Sequence, residues 1–341
     1  MTSRAIRARA PQQRDGSHHQ IELIANPYVN IKSNRGSKMA KAKPNLLLCF
    51  DAFGTLFKPK HTVALQYAEV ARQCGFTGFT DSDLQSTLKA AIKGESKQNP
   101  NYGKATGLGA TKWWTNVIHN TFAPLSKDGQ ALPTDLAPKL LHRFASKEGY
   151  DVEPGLVSTL RALKQQQGSP ERRFGRIVVG VVTNSDDRVP SILSSFGLNI
   201  SPLRYGSQID DPAAISRMDY DIDFHCMSYD VGVEKPDKRI FESAEHMLAQ
   251  VVAAREGKSL AETEAGLETW EKVYVGDEHA KDVVGAAKAG WDPVLLDADG
   301  AFEDIPKLAD SQGPTLADSF LGHSVVKVVS IRELVMWLTG Q

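Results

Sequence analysis

Cysteine is scarce in this chain: three in 341 residues, at Cys49, Cys74 and Cys226. Their spacing matches neither a metal-ligand set nor a disulfide framework. That suits a reducing compartment, with each cysteine a small core residue. No apolar run approaches the ~20 residues that cross a bilayer, which excludes a membrane-spanning helix. No internal repeat is visible. Net charge is nearly absent as well, −1 at pH 7, but the balance conceals an asymmetry. Residues 1–45 hold nine Lys or Arg and two acids, a net +7, so the remainder carries about −8. An acidic main body is a poor electrostatic partner for nucleic acid. What is present, 41% hydrophobic and 24% charged residues, is the composition of a soluble globular protein large enough for two domains.

Residues 1–43 read as a basic flexible tail, with no sustained apolar period. Arg4, Arg7, Arg9 and Arg14 precede the first acid, Asp15. The expected compartment is the cytoplasm, with a mitochondrial or nuclear address as the alternative the basic tail raises. Residues 44–60 hold a first strand and its loop. Residues 61–150 then read as four helices: Thr62–Gly75, one opened by Thr80, Thr111–Phe122 and Asp135–Gly149. Beyond residue 151, strands at 177–182, 224–228, 272–275 and 293–296 alternate with helices at 188–196, 238–248, 280–289 and 331–338. Alternation of this kind implies an α/β fold, a Rossmann-like parallel sheet with helices on both faces. The core would comprise 44–60 and 151–341, with 61–150 as an inserted four-helix domain. Residues 201–221 and 253–270 read as polar surface insertions.

The run Leu46-Leu47-Leu48-Cys49-Phe50 stops at Asp51 and a Gly-containing turn, Ala52-Phe53-Gly54-Thr55. A carboxylate at the C-terminal edge of a buried parallel strand sits where open α/β sheets place ligands. It can attack as a nucleophile; the plainer alternative is an aspartate that caps a turn. Three later strand-end motifs favour chemistry. They are Thr183-Asn184-Ser185, Lys235-Pro236-Asp237, and Gly276-Asp277-Glu278 with Asp282 on the next helix. On one rim, these are parts for phosphoryl transfer. Asp51 is the nucleophile, and Thr183 with the following N–H groups can donate to anionic oxygens. Lys235 can neutralise charge. Asp51 and Asp277 offer the hard oxygens Mg²⁺ prefers.

This order of motifs resembles the haloacid dehalogenase-like hydrolase superfamily over residues 45–340. The last motif stands here as Gly276-Asp277-Glu278-His279-Ala280-Lys281-Asp282. The resemblance implies that 61–150 is a cap domain and that the cofactor is Mg²⁺. It implies Asp51 and Lys235 as catalytic residues and Thr183, Asn184 and Lys235 as the anion-binding set. Asp51, Asp277 and the Phe53 backbone carbonyl would be metal ligands, with Asp282 and Glu278 behind them. Asn101-Tyr102-Gly103, Gly107, Trp113-Trp114, Val117 and Thr121-Phe122 look like the subfamily of haloacid dehalogenase-like hydrolase domain-containing protein 3. So does Lys235-Pro236-Asp237 followed by Arg239-Ile240-Phe241.

One position departs from the phosphatase pattern. Family phosphatases carry a second aspartate two residues after the nucleophile, and this chain has Phe53. A phenyl ring cannot transfer a proton, which forfeits general acid–base help of roughly 10²–10⁴-fold. Three readings follow: a Mg²⁺-dependent phosphohydrolase, a metal-independent 2-haloacid dehalogenase, and a non-catalytic binding or scaffold protein. The first would use a good leaving group or a proton from His61 or Lys93. The second is similar in its Asp-Ala-Phe-Gly-Thr-Leu motif, yet it needs an arginine near the cap, and only Arg72 precedes Arg143 after Asp51. Among other residues, Trp113 and Trp114 read as packing between cap and core, and Tyr102-Gly103 as a polar loop or turn. His279 reads as an exposed helix start, and Asp186 and Asp187 as helix caps. The expected partner is a small anionic substrate, with no nucleic acid and no membrane; neither a monomer nor a dimer is assigned.

Overall fold

Leu46–Phe50 is uniformly apolar because it is the middle of a sheet covered on both faces. The structure, a computed structural model, describes residues 43–341 except 127–129, 166–171, 209–210, 218, 312 and 314. Strands follow along the chain as β1 (Asn45–Phe50), β2 (Phe57–Pro59), β3 (Tyr150–Val152), β4 (Ile177–Thr183), β5 (Phe224–Met227), β6 (Trp270–Gly276), β7 (Asp292–Leu296) and β8 (Val326–Val328). Six of them form a parallel sheet in the order β5-β4-β1-β6-β7-β8. Leu46, Leu48 and Phe50 enter the core on one face, beneath helices 156–165 and 331–339. Leu47 and Cys49 enter it on the other, against helix 239–256. All five are fully buried, and each large side chain among them contributes about 1.5–3 kcal/mol.

The chain runs from β1 to β4 and β5 on one side, then crosses to β6, β7 and β8 on the other. Phe50 pairs with both Val181 and Val275, so the C-terminal ends of β1, β4 and β6 lie side by side. A crevice forms at such a reversal of strand order. The motifs after these strands therefore share one rim.

Between β2 and β3 lie α1 (Val63–Gln73), α2 (Asp81–Gln98), α3 (Ala110–Phe122) and α4 (Leu136–Arg143). The second starts where the sequence placed it, because Thr80 and Asp83 form a reciprocal capping box. Leu84, Leu88, Ala91 and Glu95 bury one face of α2. Trp113, Val117 and Phe122 of α3 join the same core cluster. A single turn, Pro100–Gly103, is added between α2 and α3, with Asn101 and Tyr102 at φ 47° and 57°. The chain enters and leaves this insert through an antiparallel ribbon in which Phe57 pairs with Val152 and Pro59 with Tyr150.

Several expectations need correction. The fourth helix ends at Arg143 rather than Gly149, because the chain must turn to reach β3. A side chain at Gly149 would meet the Arg143 carbonyl at 2.8 Å, and its own carbonyl accepts from Lys60. Residues 201–221 are not merely a surface insertion. Leu203 and Tyr205 bond to His225 along the outer edge of β5 and cover it, as an unpaired edge requires. Helix 239–256 runs eight residues beyond its expected end at 248, burying Val251, Val252 and Ala253. Trp270 is the buried first residue of β6. The helix expected at 280–289 begins as a wide turn, His279–Val283, continued by Val284–Lys288. Strands β2, β3 and β8 and helix 156–165 had no counterpart in the sequence reading. The expectations for the basic tail lie outside the described residues, Lys43 apart. No helix among the described residues is long and apolar enough to cross a membrane.

Candidate active site

Lys235 is the junction of the site. Its Nζ lies 2.7 Å from Asp51 Oδ1 and 2.7 Å from Asp282 Oδ1, and it donates to the Tyr274 hydroxyl at 2.7 Å. Lys235 and Asp282 are buried, and Asp51 keeps only 8% exposure. A buried ammonium is tolerable only with such partners. Tyr274 in turn donates to the Val182 carbonyl at 2.6 Å, tying the lysine to β4. Burial, then Asp282 and Asp51, push the Tyr274 phenol well above its ordinary range, so it stays protonated. The backbone of Lys235 is held as firmly. Asn184 Oδ1 accepts from Lys235 N–H at 2.7 Å, and Asn184 Nδ2 donates to its carbonyl at 3.1 Å.

Asp277 faces this junction from the end of β6. Its Oδ1 accepts from the Thr55 hydroxyl at 2.9 Å. Burial pushes the Asp277 carboxyl above the usual carboxylate range; the Thr55 bond opposes this and the Asp51 charge adds to it. Burial also pushes Asp282 upward, with Lys235 opposing. Gly54, at φ 84°, passes so close that a Cβ there would stand 2.2 Å from Asp277 Oδ2. One carboxylate oxygen from each of Asp51, Asp277 and Asp282 lies within 4.8 Å of the others. Asp51 Oδ1 is buried without a directed hydrogen bond despite its lysine neighbour. Three clustered acids, two of them (Asp277 and Asp282) pushed upward by burial, suit a hard divalent cation. Asp282 is the least available of the three, since Lys235 and the Glu278 N–H take its two oxygens.

The other sequence candidates fall as follows. Thr183 is buried at the end of β4, and its hydroxyl bonds to no other described residue. Asn184 is committed to the lysine backbone, which makes it a positioning group more than an anion ligand. Glu278 is exposed and its carboxylate pairs with Lys281 at 2.8 Å. His279 is exposed and stacks on Phe302. Asp186 does not cap a helix; it holds Arg188 through two bonds of 2.8 Å and accepts from Trp114 Nε1 at 2.8 Å. Trp113 is buried within the insert and Trp114 reaches the core, as packing residues should. Tyr102 is half-buried against Trp113 and Tyr229 rather than in a polar loop.

Phe53 packs edge-on against Phe57 and Tyr150, at 4.8 and 5.8 Å between centroids. A cavity of about 230 Å³ lies beside it, between core and insert. Neither His61 nor Lys93 is among its described lining residues; both are exposed. Sequence reasoning missed Tyr274 and Thr55, which bond directly to Lys235 and Asp277. Thr55 carried a signal, lying four residues after Asp51 within the same turn. Tyr274 carried none, since an aromatic residue inside a strand reads as core.

A family model for haloacid dehalogenase-like hydrolase matches residues 46–290. An uncharacterised hydrolase of Schizosaccharomyces pombe is 28% identical over 251 residues, spanning 74% of this chain and 90% of that protein. Haloacid dehalogenase-like hydrolase domain-containing protein 3 of Danio rerio is 29% identical over 265 residues, spanning 75% and 88%. The human protein of that name is 29% identical over 277 residues, spanning 77% and 90%.

Proposed function

The chain belongs to the haloacid dehalogenase-like hydrolases, and from that membership we propose that it is a Mg²⁺-dependent phosphohydrolase working through Asp51. The observation that carries this reading is the carboxylate of Asp277 beside Asp51, with Lys235 bridging Asp51 to Asp282. A hard-oxygen set of this kind supports metal-assisted phosphoryl transfer over metal-independent halide displacement.

In this mechanism Asp51 attacks the phosphorus of a small anionic ester. Lys235 balances charge on the nucleophile and on the transferred group, and Asp282 and Tyr274 keep it aimed. The Thr183 hydroxyl donates to a phosphoryl oxygen. Asp51, Asp277 and the Phe53 carbonyl would hold Mg²⁺, which when bound supplies positive charge for the phosphoryl oxygens. Residues 61–150 act as a cap that excludes water and selects the substrate.

The test is a panel of phosphate esters and 2-haloacids, run with Mg²⁺ and with EDTA, beside Asp51→Asn. Phosphate release that needs Mg²⁺ and Asp51 supports the proposal. Chloride release in EDTA would favour a dehalogenase. Ligand or Mg²⁺ binding without any turnover would favour a binding protein.

A further inference from the structure

Resting on that reading, we infer that the substrate is an aryl phosphate with an acidic substituent: its ring lies in the cavity beside Phe53 and its substituent on Arg188. Three observations converge on this class. The first is the wall of the cavity. Phe53, Tyr67, Tyr102, Trp114, Phe144 and Tyr150 line it, so six aromatic faces and edges surround one space. It adjoins the chemistry, since Phe53 is two residues from Asp51 and Asn184 clasps Lys235. Apolar cavities of about 150 Å³ accept benzene, whereas larger ligands need about 300 Å³ or more. At about 230 Å³ this one suits a single ring with a small substituent and is too small for a nucleotide. The larger groove beside Gly54 and Asp277, about 510 Å³, sets four further acids, Asp151, Glu153, Asp297 and Asp299, against one lysine, Lys58, and that net negative wall disfavours an anionic leaving group.

The second observation is Phe53 itself. With no proton donor at that position, the leaving oxygen departs as its own conjugate base. A phenol, with a pKa of about 10, leaves far more readily than an alcohol whose pKa approaches the ~16 of water. An aryl ester therefore meets the chemistry and the shape together. Acyl phosphates meet only the chemistry.

The third is Arg188, which also lines the cavity. Its Nε and Nη2 are fixed by Asp186, and its Cζ lies 4.4 Å from the Trp114 ring centroid. Its Nη1 edge has no partner among the described residues. A guanidinium cannot shed its proton, so a half-buried donor edge beside apolar walls calls for an acceptor. A carboxylate on the ring supplies one.

The reaction balances without a further reagent. An Asp51 oxygen bonds to phosphorus as the phosphorus–aryl oxygen bond breaks, and the electron pair leaves on the phenolate, which takes a proton from solvent. Water then attacks phosphorus, the bond from the Asp51 oxygen to phosphorus breaks, and the proton lost by the water passes to solvent, replacing the one the phenolate took. Free carboxylate and inorganic phosphate result, so ester plus water gives phenol plus phosphate.

The test compares kcat/KM for para-carboxyphenyl phosphate, phenyl phosphate and para-carboxybenzyl phosphate in the full chain with Mg²⁺. The carboxylate should raise kcat/KM by about ten- to a hundredfold over phenyl phosphate, the effect of one hydrogen bond to a charged group. The benzyl ester should compete for the site but turn over at least about a hundredfold more slowly. Arg188→Met and Arg188→Lys should bring the carboxylate preference towards one, with melting curves checking the fold. Equal wild-type rates with and without the carboxylate, or a preference kept in Arg188→Met, would overturn the inference. So would a benzyl ester hydrolysed as fast as the aryl one. If no ester is hydrolysed, the phosphohydrolase reading fails, and calorimetry with para-hydroxybenzoate then tests the cavity alone. Wild-type binding that Arg188→Met abolishes retains the assignment of the cavity; no wild-type binding overturns it.

Discussion

Phe53 and Tyr274 are both aromatic, but they shape the site in opposite ways. Phe53 removes a proton donor; Tyr274 adds a hydrogen bond that fixes Lys235. If the missing acid limits the natural site, Phe53→Asp will raise turnover of alkyl phosphates by up to about 10²-fold and of aryl phosphates much less. Steady-state kinetics on a matched pair of esters checks this, and an equal change for both would contradict it. Tyr274→Phe leaves the Val182 carbonyl buried without its donor, a cost of about 1–3 kcal/mol readable in the denaturant midpoint. At this scale Asp51, Lys235, Asp277 and Asp282 were legible because each stands at a strand end or in the short motif after one. Tyr274 was not, because a side chain pointing across a sheet leaves no mark in its own neighbours. Arg188 was hidden for a similar reason: its part depends on Asp186 and Trp114, and Trp114 lies 72 residues away from Asp186.

At the scale of elements, strands of four or more residues in the main sheet could be read, and the three-residue strands β2, β3 and β8 could not. Thr80 and Asp83 announce the start of α2 through their spacing. The three residues of β8 or β2 are too few to establish a period from which to infer a strand; pairing with a neighbour makes them one. Strand β5 was read correctly, but its covering segment was not. His225 records the result of that cover. Burial, with Arg204 adding, pushes its imidazole from 6.5 down to about 3. Between these values the unfolded chain binds a proton that the folded chain refuses. The neutral histidine's contribution is therefore complete above pH 6.5 and is lost as pH falls towards 3. By pH 5 the loss is about 2 kcal/mol, and His225→Gln should remove most of it. Urea midpoints of both proteins near pH 7 and near pH 5 provide the comparison; parallel losses would contradict the assignment.

For the molecule as a whole, the run of helices between one strand and the next alternation was legible, because four helical patterns follow one another there. What the sequence did not reveal is how the insert is fastened. The β2–β3 ribbon ties its two ends together. Trp114 bonds to Asp186, Asn101 to the Tyr229 carbonyl and Lys104 to the Asp230 carbonyl, all across to the core. Of these residues, Trp114 also lines the aromatic cavity between insert and core. The most direct test of the proposed chemistry is to trap the covalent state. The protein is mixed with labelled acetyl phosphate, a small phosphoryl donor with a good leaving group, quenched in acid and digested. Phosphoryl label on the peptide containing Asp51, dependent on Mg²⁺ and absent from Asp51→Asn, is the predicted result. Phosphate release without label at Asp51, or release undiminished in Asp51→Asn, would contradict it.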